Sequence, residues 1–520
     1  MKTLVLTIAM TLGLYSGTAP QIAEATLPPP APAPAVLTVC VGSEGYTIDP
    51  ACLSDGGDFD YLHHLYEGLM RYAPVSADGV MNEMQIDYGL AESAEVSADG
   101  LTYRFTLREN ALWSDGVPVT AADFVYAWER LLSGDTHGAQ QLGAVLESVT
   151  AESDRVLLVT LQRFCPWFLK LCAEPYLAPV RRDLVEAYGG DWTNEGNIAV
   201  SGAYIIESWV HDDHIVLQKN PCYYAKDTIT AERIVWYFAD TARKGDADFL
   251  ADVPEAAATG RVDQAGVYYL YLNANGIRDW RVRAAMLLAL DRDALAAAVG
   301  EGVRPAQGLV PQGVQTAGYE IEPMLRWLRE TYPGYDLSCY EQRCALALDL
   351  YNSAVASGAW SYGRTLGFRY NASAVNDTVM THCTADWLRV LGLTVTPRPM
   401  TAEEYGKLLV TNTFDVAYLS WVADYDDPLS FLQIMERGGE TNFSAWGDER
   451  SDALLEQAAT DSENRVGLLY ETECALFEAE RFGVCPLYWT GERYTAANGI
   501  TGVAHSAYGG YWFGNAVTEG

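Results

Sequence analysis

Residues 364–421, RTLGFRYNASAVNDTVMTHCTADWLRVLGLTVTPRPMTAEEYGKLLVTNTFDVAYLSW, decide the fold class of this chain. Strand-forming and helix-forming patterns alternate along this stretch. The predicted order is strand 364–370, helix 376–391, strand 393–397, helix 402–411 and strand 414–421. A βαβαβ order of this kind predicts an α/β domain built on a mixed or parallel sheet.

Further elements are predicted on both sides of this stretch. The run VLTVCV at 36–41 predicts a buried strand, and LTYRFTL at 101–107 alternates as a half-buried strand does. Thr120 and Asp123 form a capping box that opens a helix at 124–131. The remaining predictions are helices over 58–72 and 279–291, a strand over 266–273, and a hairpin over 205–209 and 214–217.

The composition excludes several classes of function. A chain of 520 residues is too long for one hydrophobic core and predicts about two to four domains. Hydrophobic residues at 49% and charged residues at 20% indicate a globular protein rather than a disordered one. With 34 Lys and Arg against 69 Asp and Glu, the net charge of −35 repels phosphate backbones and anionic membrane surfaces. Nucleic-acid binding is therefore excluded as a main function.

The N-terminal 35 residues predict export. MKTLVLTIAMTLGLYSG at 1–17 has one Lys followed by an apolar run that is too short to span a bilayer, and AEA at 23–25 fits a cleavage site. We therefore expect a signal peptide at 1–25, followed by an extended Pro/Ala linker at 26–35. No later stretch reaches the ~18 uninterrupted apolar residues that a membrane span needs.

Cysteine and histidine usage bears on disulfides and metals. Ten cysteines are many for an exported protein unless some of them pair. Cys165 with Cys172 and Cys339 with Cys344 are close enough in sequence to be candidates, although spacing does not fix the connectivity. There is no CxxC pair, and HDDH at 211–214 is expected to be a polar hairpin turn, so we expect no metal and no cofactor.

Motifs for catalysis are missing from the sequence. We find no GxSxG elbow, no GK[ST] phosphate loop, no HExxH and no GxGxxG after a strand. Asp424, Asp426 and Asp427 lie close together, but in so acidic a chain this is weak evidence for the acid pair of a glycoside hydrolase. The sequence therefore predicts a protein that is not an enzyme.

Several segments, taken in order, carry a resemblance that covers residues from about 36 to 512. They are YTIDP 46–50, LYEGL 65–69, GLAES 89–93, ADGLTYRF 98–105, LREN 107–110, FVYAW 124–128, VSGAY 200–204, LQKNPCY 217–223, VRAAM 282–286, LDR 290–292, FDVA 414–417, WVADYDDP 421–428 and CPLY 485–488. Together they resemble the oligopeptide- and dipeptide-binding proteins of ABC importers, which are family 5 extracellular solute-binding proteins. Each motif is weak alone, whereas so many in register make a strong match.

The resemblance implies an α/β, two-lobed periplasmic-binding-protein-like fold with two hinge crossings and an extra domain in the first lobe. Carried onto this sequence, the boundaries are lobe one at 36–265 plus 480–520, its extra domain at 51–168, lobe two at 266–479, and hinges near 267–273 and 483–489.

The resemblance also implies ligand-binding residues. In peptide-binding members, the Asp of a W-x-A-D-Y motif pairs with the α-amino group of the ligand, and the matching residue here is Asp424. An ammonium group taken out of water needs a charged partner, and removing one side of such a pair costs ~2–5 kcal/mol. Main-chain amides of SDG at 54–56, which include Asp55 and Gly56, are expected to pair with the ligand. The expected aromatic lining consists of Trp421, Tyr425, Tyr126, Tyr488 and Trp489.

One departure from the family pattern concerns the carboxylate end of the ligand. Some members hold the peptide carboxylate with Arg residues just before the W-x-A-D-Y motif, where this chain has Leu409 and Tyr418. We therefore expect longer or C-terminally modified ligands.

The resulting prediction is an exported receptor, periplasmic or extracellular, that captures peptides in an interlobe cleft and delivers them to the permease subunits of an ABC transporter. It is expected to be a monomer. Two alternatives stay open at this point: a receptor of the same fold for a glycan or a metal chelate, and a carboxylate-dependent glycan hydrolase.

Overall fold

The computed structural model describes residues 6–7, 36–45, 47–53, 60–238, 247–300, 302–315, 319, 322–439, 441–444, 446–460 and 463–518. Its strands are β1 (Leu6–Thr7), β2 (Leu37–Cys40), β3 (Met70–Pro74), β4 (Met81–Tyr88), β5 (Ala91–Val96), β6 (Thr102–Leu107), β7 (Leu146–Ser153), β8 (Val156–Leu161), β9 (Tyr204–Val210), β10 (His214–Lys219), β11 (Arg233–Tyr237), β12 (Phe249–Ala251), β13 (Gly260–Leu272), β14 (Arg304–Pro305), β15 (Leu366–Asn371), β16 (Val395–Met400), β17 (Val416–Val422), β18 (Val484–Ala496), β19 (Ile500–Thr501), β20 (Val503–Ser506), β21 (Gly510–Trp512) and β22 (Val517–Thr518).

The helices are α1 (Leu62–Leu65), α2 (Ala121–Leu132), α3 (His137–Gly143), α4 (Phe168–Leu171), α5 (Arg182–Tyr188), α6 (Trp280–Leu288), α7 (Arg292–Val299), α8 (Pro323–Thr331), α9 (Tyr340–Ala356), α10 (Ala374–Leu391), α11 (Ala402–Thr411), α12 (Leu429–Leu432), α13 (Glu449–Ala458) and α14 (Arg465–Ala475). Within the described ranges, no helix is both long enough and apolar enough to cross a bilayer.

The first of two compact units comprises Met1–Val262 and Arg493–Gly520. One of its sheets has the strand order β1-β5-β6-β8-β7, and α2 packs against β7 and β8. Another set of strands runs in the order β12-β2-β11-β10-β9, in which β2 is parallel to both neighbours. A third sheet, β21-β20-β4-β3, pairs the C-terminal strands with N-terminal ones.

The second compact unit comprises Asp263–Glu492. Strands β16, β15 and β17 are parallel, β13 is antiparallel to β17, and β18 follows β13 in the sheet. Helix α10 connects β15 to β16 and packs against both, as a crossover between parallel strands does. On its buried side, the Phe368 ring of β15 lies 6.0 Å from the Trp387 ring of α10. The βαβαβ prediction for residues 364–421 is therefore confirmed.

Local sequence signals set the ends of the two crossover helices. Ser373 Oγ accepts the Asn376 N–H at 3.1 Å at the start of α10, and Gly392 ends the helix in the left-handed region with φ of 65°. Helix α11 begins with a capping box in which the Thr401 N–H donates to the Glu404 carboxylate at 3.1 Å. These ends fix where β16 and β17 begin.

The chain passes between the two units twice, after Val262 and after Glu492. Each passage lies inside a strand of 13 residues, β13 or β18. The sequence placed the corresponding lobe boundaries after residue 265 and before residue 480, and those boundaries and the hinges stay predictions.

The helix predicted over residues 58–72 is wrong over most of its length. Residues 58–59 lie outside the described residues. Within 60–72 only Leu62–Leu65 is helical, and Met70–Pro74 is a strand that pairs with β4. A Cβ atom on Gly68 would lie 2.3 Å from the carbonyl oxygen of Cys172, and the Met70 N–H donates to that oxygen at 3.2 Å. Because this close main-chain contact overrides the local helical pattern, the chain leaves the helix and enters the sheet.

The other predicted elements in the first unit are confirmed with small shifts of their ends. The strand at 36–41, the strand at 101–107, the helix after the capping box and the hairpin around 211–214 correspond to β2, β6, α2, β9 and β10. In the capping box, the Thr120 N–H donates to Asp123 Oδ2 at 2.8 Å.

Neither candidate cysteine pair is bridged. Cys165 and Cys172 are both buried and no disulfide joins them. Cys339 donates its S–H to Glu341 at 2.9 Å rather than bonding to Cys344.

Candidate functional site

The predicted ligand residue Asp424 lies just beyond the end of β17, in the turn that leads to α12. The Asp424 N–H donates to Ser430 Oγ at 2.9 Å, and the Trp421 Nε1–H points to the same oxygen at 3.5 Å. Ser430 is fully buried, whereas Asp424 and Trp421 are half-buried. The structure therefore brings Trp421 and Asp424 together around one buried hydroxyl group.

Strand β17 has one paired edge and one edge that is open near its end. The Ala423 N–H donates to the Ala265 carbonyl and the Asn273 N–H donates to the Asp415 carbonyl, each at 2.9 Å. Because hydrogen-bonded pairs alternate in an antiparallel ladder, the odd-numbered residues from 415 to 423 direct their main-chain groups toward β13. The even-numbered residues direct theirs toward the opposite edge.

On that opposite edge, β15 pairs with β17 only through Phe368 with Val416 and Arg369 with Ala417. Beyond this point, among the strands that the structure describes, none pairs with Ser420 or Val422 on this side. Both residues are exposed, and Val422 keeps 63% of its accessible surface. We call the outward N–H and C=O groups of Ser420 and Val422 the open edge.

The open edge is bounded at both ends. At its start the Tyr405 hydroxyl donates to the Tyr418 carbonyl at 2.6 Å, so that carbonyl already has a partner. At its end Ser430 accepts the Asp424 N–H at 2.9 Å. An unpaired strand edge is a template for an added extended chain. The segment left for such a chain covers Ser420 to Val422 and leads directly to the carboxylate of Asp424.

The other predicted aromatic residues of the second unit are buried, and their polar atoms have partners inside the unit. Tyr425 donates its hydroxyl to Gln433 Oε1 at 3.0 Å. Trp489 donates its indole N–H to the Gly308 carbonyl at 3.0 Å and is 6% exposed. Ligand contact by these two residues stays a prediction.

Tyr488 belongs to a cluster of three tyrosines on neighbouring strands. The Tyr268 ring stacks 4.9 Å from the Tyr488 ring and 5.5 Å from the Tyr418 ring. The Tyr418 and Tyr488 hydroxyl oxygens are 2.5 Å apart. Burial, together with the neighbouring Tyr488, raises the pKa of Tyr418 far above its usual range. Tyr418 is therefore an uncharged, hydrogen-bonded hydroxyl.

Three predicted residues remain. Tyr126 is half-buried on α2 in the first unit, where the Arg182 guanidinium lies 5.6 Å from its ring centroid. Asp55 and Gly56 lie outside the described residues.

The histidine pattern at 211–214 has partners that suit a surface turn. His211 Nδ1 lies 2.6 Å from Glu44, and His214 Nδ1 lies 2.6 Å from the adjacent Asp213. Among the residues that the structure describes, no group of three or more His, Cys, Asp or Glu side chains is arranged to hold a metal ion.

Comparison with known proteins connects this geometry to a family. The family described as bacterial extracellular solute-binding proteins, family 5 Middle, matches residues 85–443. This chain belongs to that family. Among its relatives, the periplasmic oligopeptide-binding protein OppA of Salmonella typhimurium is 30% identical over 458 residues, which is 80% of this chain and 79% of OppA. The probable deoxycholate-binding periplasmic protein YgiS of Escherichia coli is 27% identical over 492 residues, 86% of each chain.

A solved structure has the same fold. The unliganded open form of the periplasmic murein tripeptide-binding protein MppA superposes with a TM-score of 0.78 at 24% identity, covering 91% of this chain and 95% of MppA. The predicted family, fold class and export are confirmed by these matches. The relatives named above are solute-binding proteins rather than enzymes.

The sequence missed the residues whose main chain or buried side chain shapes this site. Ser420 and Val422 are ordinary strand residues, and only the parity of the β13–β17 hydrogen bonds shows that their main-chain groups face outward. Ser430 had only a weak signal, since Ser is common in turns generally. Its bond to Asp424 depends on the fold.

Proposed function

We propose that this family 5 protein captures peptides with a free α-amino group, in extended form, along the open edge of β17. The observation that carries the proposal is the arrangement along one edge. The main-chain groups of Ser420 and Val422 pair with no described strand on this side, and the Asp424 carboxylate follows them at once. Main-chain pairing tolerates any side chain, and a carboxylate at the end of the edge selects an amino terminus.

A peptide bound in this way has a defined direction. With its amino group at Asp424, an extended peptide runs back toward Tyr418 and is therefore antiparallel to β17. At ~3.3 Å per residue, the open edge from Val422 to Ser420 pairs with roughly three residues of the peptide. Tyr418, like Leu409, is uncharged, which supports longer or C-terminally modified peptides over short peptides held by a carboxylate clamp.

The remaining parts of the proposal follow from family membership and from the sequence. The protein delivers its ligand to the permease subunits of an ABC transporter, acts as a monomer, carries no enzyme activity and needs no cofactor. Residues 1–25 form a signal peptide and residues 26–35 form a linker. Tyr126, Tyr425, Tyr488, Trp489, Asp55 and Gly56 contribute to ligand contact.

A non-peptide solute is the second candidate, because the relative YgiS is named a probable deoxycholate-binding protein. A steroid acid has no ammonium group for Asp424 and no main chain for the open edge. The two candidate functions therefore differ in whether an amino group on the ligand contributes to the affinity.

Calorimetry on the wild-type protein separates these candidates. The titrants are a random library of unmodified oligopeptides, the same library with acetylated amino termini, a mixture of glycans, and deoxycholate. We expect the unmodified library to bind and acetylation to weaken binding at least about 30-fold, since an unpaired desolvated charge costs ~2–5 kcal/mol. Equal binding of both libraries contradicts the amino-terminal site, and binding of only glycan or deoxycholate contradicts the peptide function.

A further inference from the structure

A buried ion pair holds the turn that follows Asp424. Arg465 Nη2 donates to Asp427 Oδ1 at 2.7 Å and Arg465 Nη1 donates to Asp427 Oδ2 at 2.9 Å. The two side chains keep only 10% and 6% of their accessible surface. Asp427 lies in the turn and Arg465 is the first residue of α14, so the pair fixes the turn to a helix that is distant in sequence.

Asp427 is in turn bonded to the residues around Asp424. Its carboxylate accepts the Leu429 N–H at 2.9 Å, its carbonyl accepts the Ser430 N–H at 3.1 Å, and its own N–H donates to the Tyr425 carbonyl at 2.7 Å. Ser430 then accepts the Asp424 N–H at 2.9 Å. An unbroken series of hydrogen bonds therefore leads from Arg465 to the main chain of Asp424.

Stability alone is a poor explanation for this ion pair. A cation in the first turn of a helix is disfavoured by the helix dipole, and Arg465 occupies the first position of α14. Its Nε atom is buried with no hydrogen-bond partner among the described atoms. Buried ion pairs are often no more stabilising than apolar residues of the same size, and their best-supported role is to select one conformation.

The ion pair also affects the charges near Asp424. Asp424, Asp426 and Asp427 lie within four residues of one another. Because Arg465 binds both oxygens of Asp427, it neutralises the innermost of these carboxylates and directs it away from a ligand. A ligand ammonium group then meets Asp424 rather than a diffuse acidic cluster.

We propose that Asp427 and Arg465 are positioning residues that, through Ser430, hold Asp424 in the orientation that binds the amino group of the ligand. This inference rests on the proposed peptide function and adds the means by which the site is kept in shape before the ligand arrives. A preorganised carboxylate avoids the entropic cost of ordering the turn at the moment of binding.

The test is a double-mutant cycle. Asp427→Asn together with Arg465→Met removes both charges and leaves neither one buried and unpaired, so this double variant is expected to fold. It is combined with Asp424→Asn, and the affinity for the random library of unmodified oligopeptides is measured by calorimetry. The matched control is Asp279→Asn with Arg281→Met, which removes another two-bond Asp–Arg pair of the second unit, at 2.6 and 3.0 Å, far from this turn in sequence.

We expect the Asp427/Arg465 double variant to lose about tenfold in affinity in the wild-type background, which corresponds to about 1.4 kcal/mol, and less than about twofold in the Asp424→Asn background. The control should lose less than about twofold in both backgrounds. A merely structural role would give the same loss in both backgrounds and would overturn the inference.

The possible failures can be told apart. If Asp424→Asn alone leaves the affinity unchanged, the amino-group site itself is wrong. If Asp424→Asn weakens binding while the double variant does not, only the positioning role is wrong. If the double variant loses its cooperative thermal transition, Arg465→Lys is used in its place. Lys keeps the positive charge but cannot form the two parallel hydrogen bonds to Asp427. An unchanged affinity of Arg465→Lys would then contradict the inference.

Discussion

Each compact unit contains an Asp-Pro turn that is bound by an arginine from a distant part of the chain, and the two turns differ in how well they are secured. In the first unit Asp49 precedes Pro50 and accepts hydrogen bonds from both Nη atoms of Arg130, at 2.6 and 2.5 Å. Its carboxylate also accepts the Ala51 N–H at 3.1 Å. Trp192 adds a bond from its indole N–H at 2.9 Å.

The turn in the second unit is built in the same way but has fewer supports. Asp427 precedes Pro428, accepts both Nη atoms of Arg465 and accepts the Leu429 N–H at 2.9 Å. No tryptophan bond to this carboxylate occurs among the described residues. The Asp-Pro pair therefore occurs in the same kind of turn in both units. The hydrogen-bond partners supplied by the rest of the fold determine how stable each turn is.

The effect of the bound arginine on the carboxylate is clearest in the pKa of Asp49. Burial by itself raises the pKa of Asp49, but the hydrogen bonds from Arg130 and Trp192 and the charge of Arg130 outweigh it, and the net pKa lies below the usual value. A lowered carboxylate pKa stabilises the folded state above pH ~4, and that contribution is lost as the pH falls through the folded-state pKa. The ion pair with Arg130 therefore stabilises the folded state less as the pH becomes acidic.

The largest expected effect comes from removing each arginine alone. Arg465→Met leaves Asp427 buried and unpaired, and we expect the free energy of unfolding to fall by ~3–5 kcal/mol. Arg130→Met should cost less, because Asp49 keeps Trp192 and the Arg130 side chain is already 23% exposed. Urea denaturation of both variants measures the difference. Arg182→Met, from an exposed pair with Glu186, serves as the control and should change stability by less than about 0.5 kcal/mol. A larger loss for Arg130→Met than for Arg465→Met contradicts the comparison.

Glu473 is a buried carboxylate that no arginine binds among the described residues, and its pH dependence is opposite to that of Asp49. Glu473 of α14 accepts the N–H groups of Leu309 and Val310 and the Tyr319 hydroxyl. Burial raises its pKa from 4.5 to about 7. The folded protein therefore keeps the proton over this pH range while the unfolded chain does not, so the free energy of unfolding falls as the pH rises from about 4.5 to about 7.

Glu473→Gln should remove this part of the pH dependence, which is of the order of 3 kcal/mol. Thermal or urea unfolding at several pH values between 4.5 and 7 measures it in the wild type and the variant. Identical pH profiles for the two proteins would show that Glu473 does not titrate in this range.

A substitution with a smaller expected effect tests whether the main chain of the ligand pairs with β17, the strand that leads to the Asp427 turn. Val422→Pro removes an outward N–H, which an edge strand tolerates, and we expect the variant to fold. Its binding free energy for the library of unmodified oligopeptides should weaken by ~0.5–1.5 kcal/mol, the value of one hydrogen bond. Val422→Thr keeps the N–H group and nearly the same side-chain shape, so it is the matched control. Equal affinities of the Pro and Thr variants would place the ligand main chain elsewhere.

Sequence reasoning predicted the parts of this molecule that depend on local pattern. The alternation over residues 364–421 predicted β15 to β17 with α10 and α11, because each element carries its own period and its own caps. The helix over 58–72 failed because the contact of Gly68 with the carbonyl of Cys172 is made 104 residues away in sequence (172 − 68 = 104). The spacing of apolar side chains along the sequence does not indicate a contact of this kind.

The candidate site, too, was predictable from the sequence only where the pattern is local. The motif around residues 421–428 drew attention to Trp421 and Asp424, which the structure brings together. Arg465 carries no local signal, since its partner Asp427 is 38 residues away in sequence. The open edge at Ser420 and Val422 depends on where β15 stops pairing, which is a property of the sheet.

The most direct test of the central claim is the affinity of Asp424→Asn for the random library of unmodified oligopeptides, compared with that of Asp426→Asn. Both substitutions remove one carboxylate charge from the same turn, and both residues are half-buried. If Asp424 binds the amino group of the ligand, Asp424→Asn should weaken binding at least about tenfold while Asp426→Asn changes it less than about twofold. Equal losses for the two variants, or an unchanged affinity for Asp424→Asn, would contradict the assignment of Asp424 as the amino-group site.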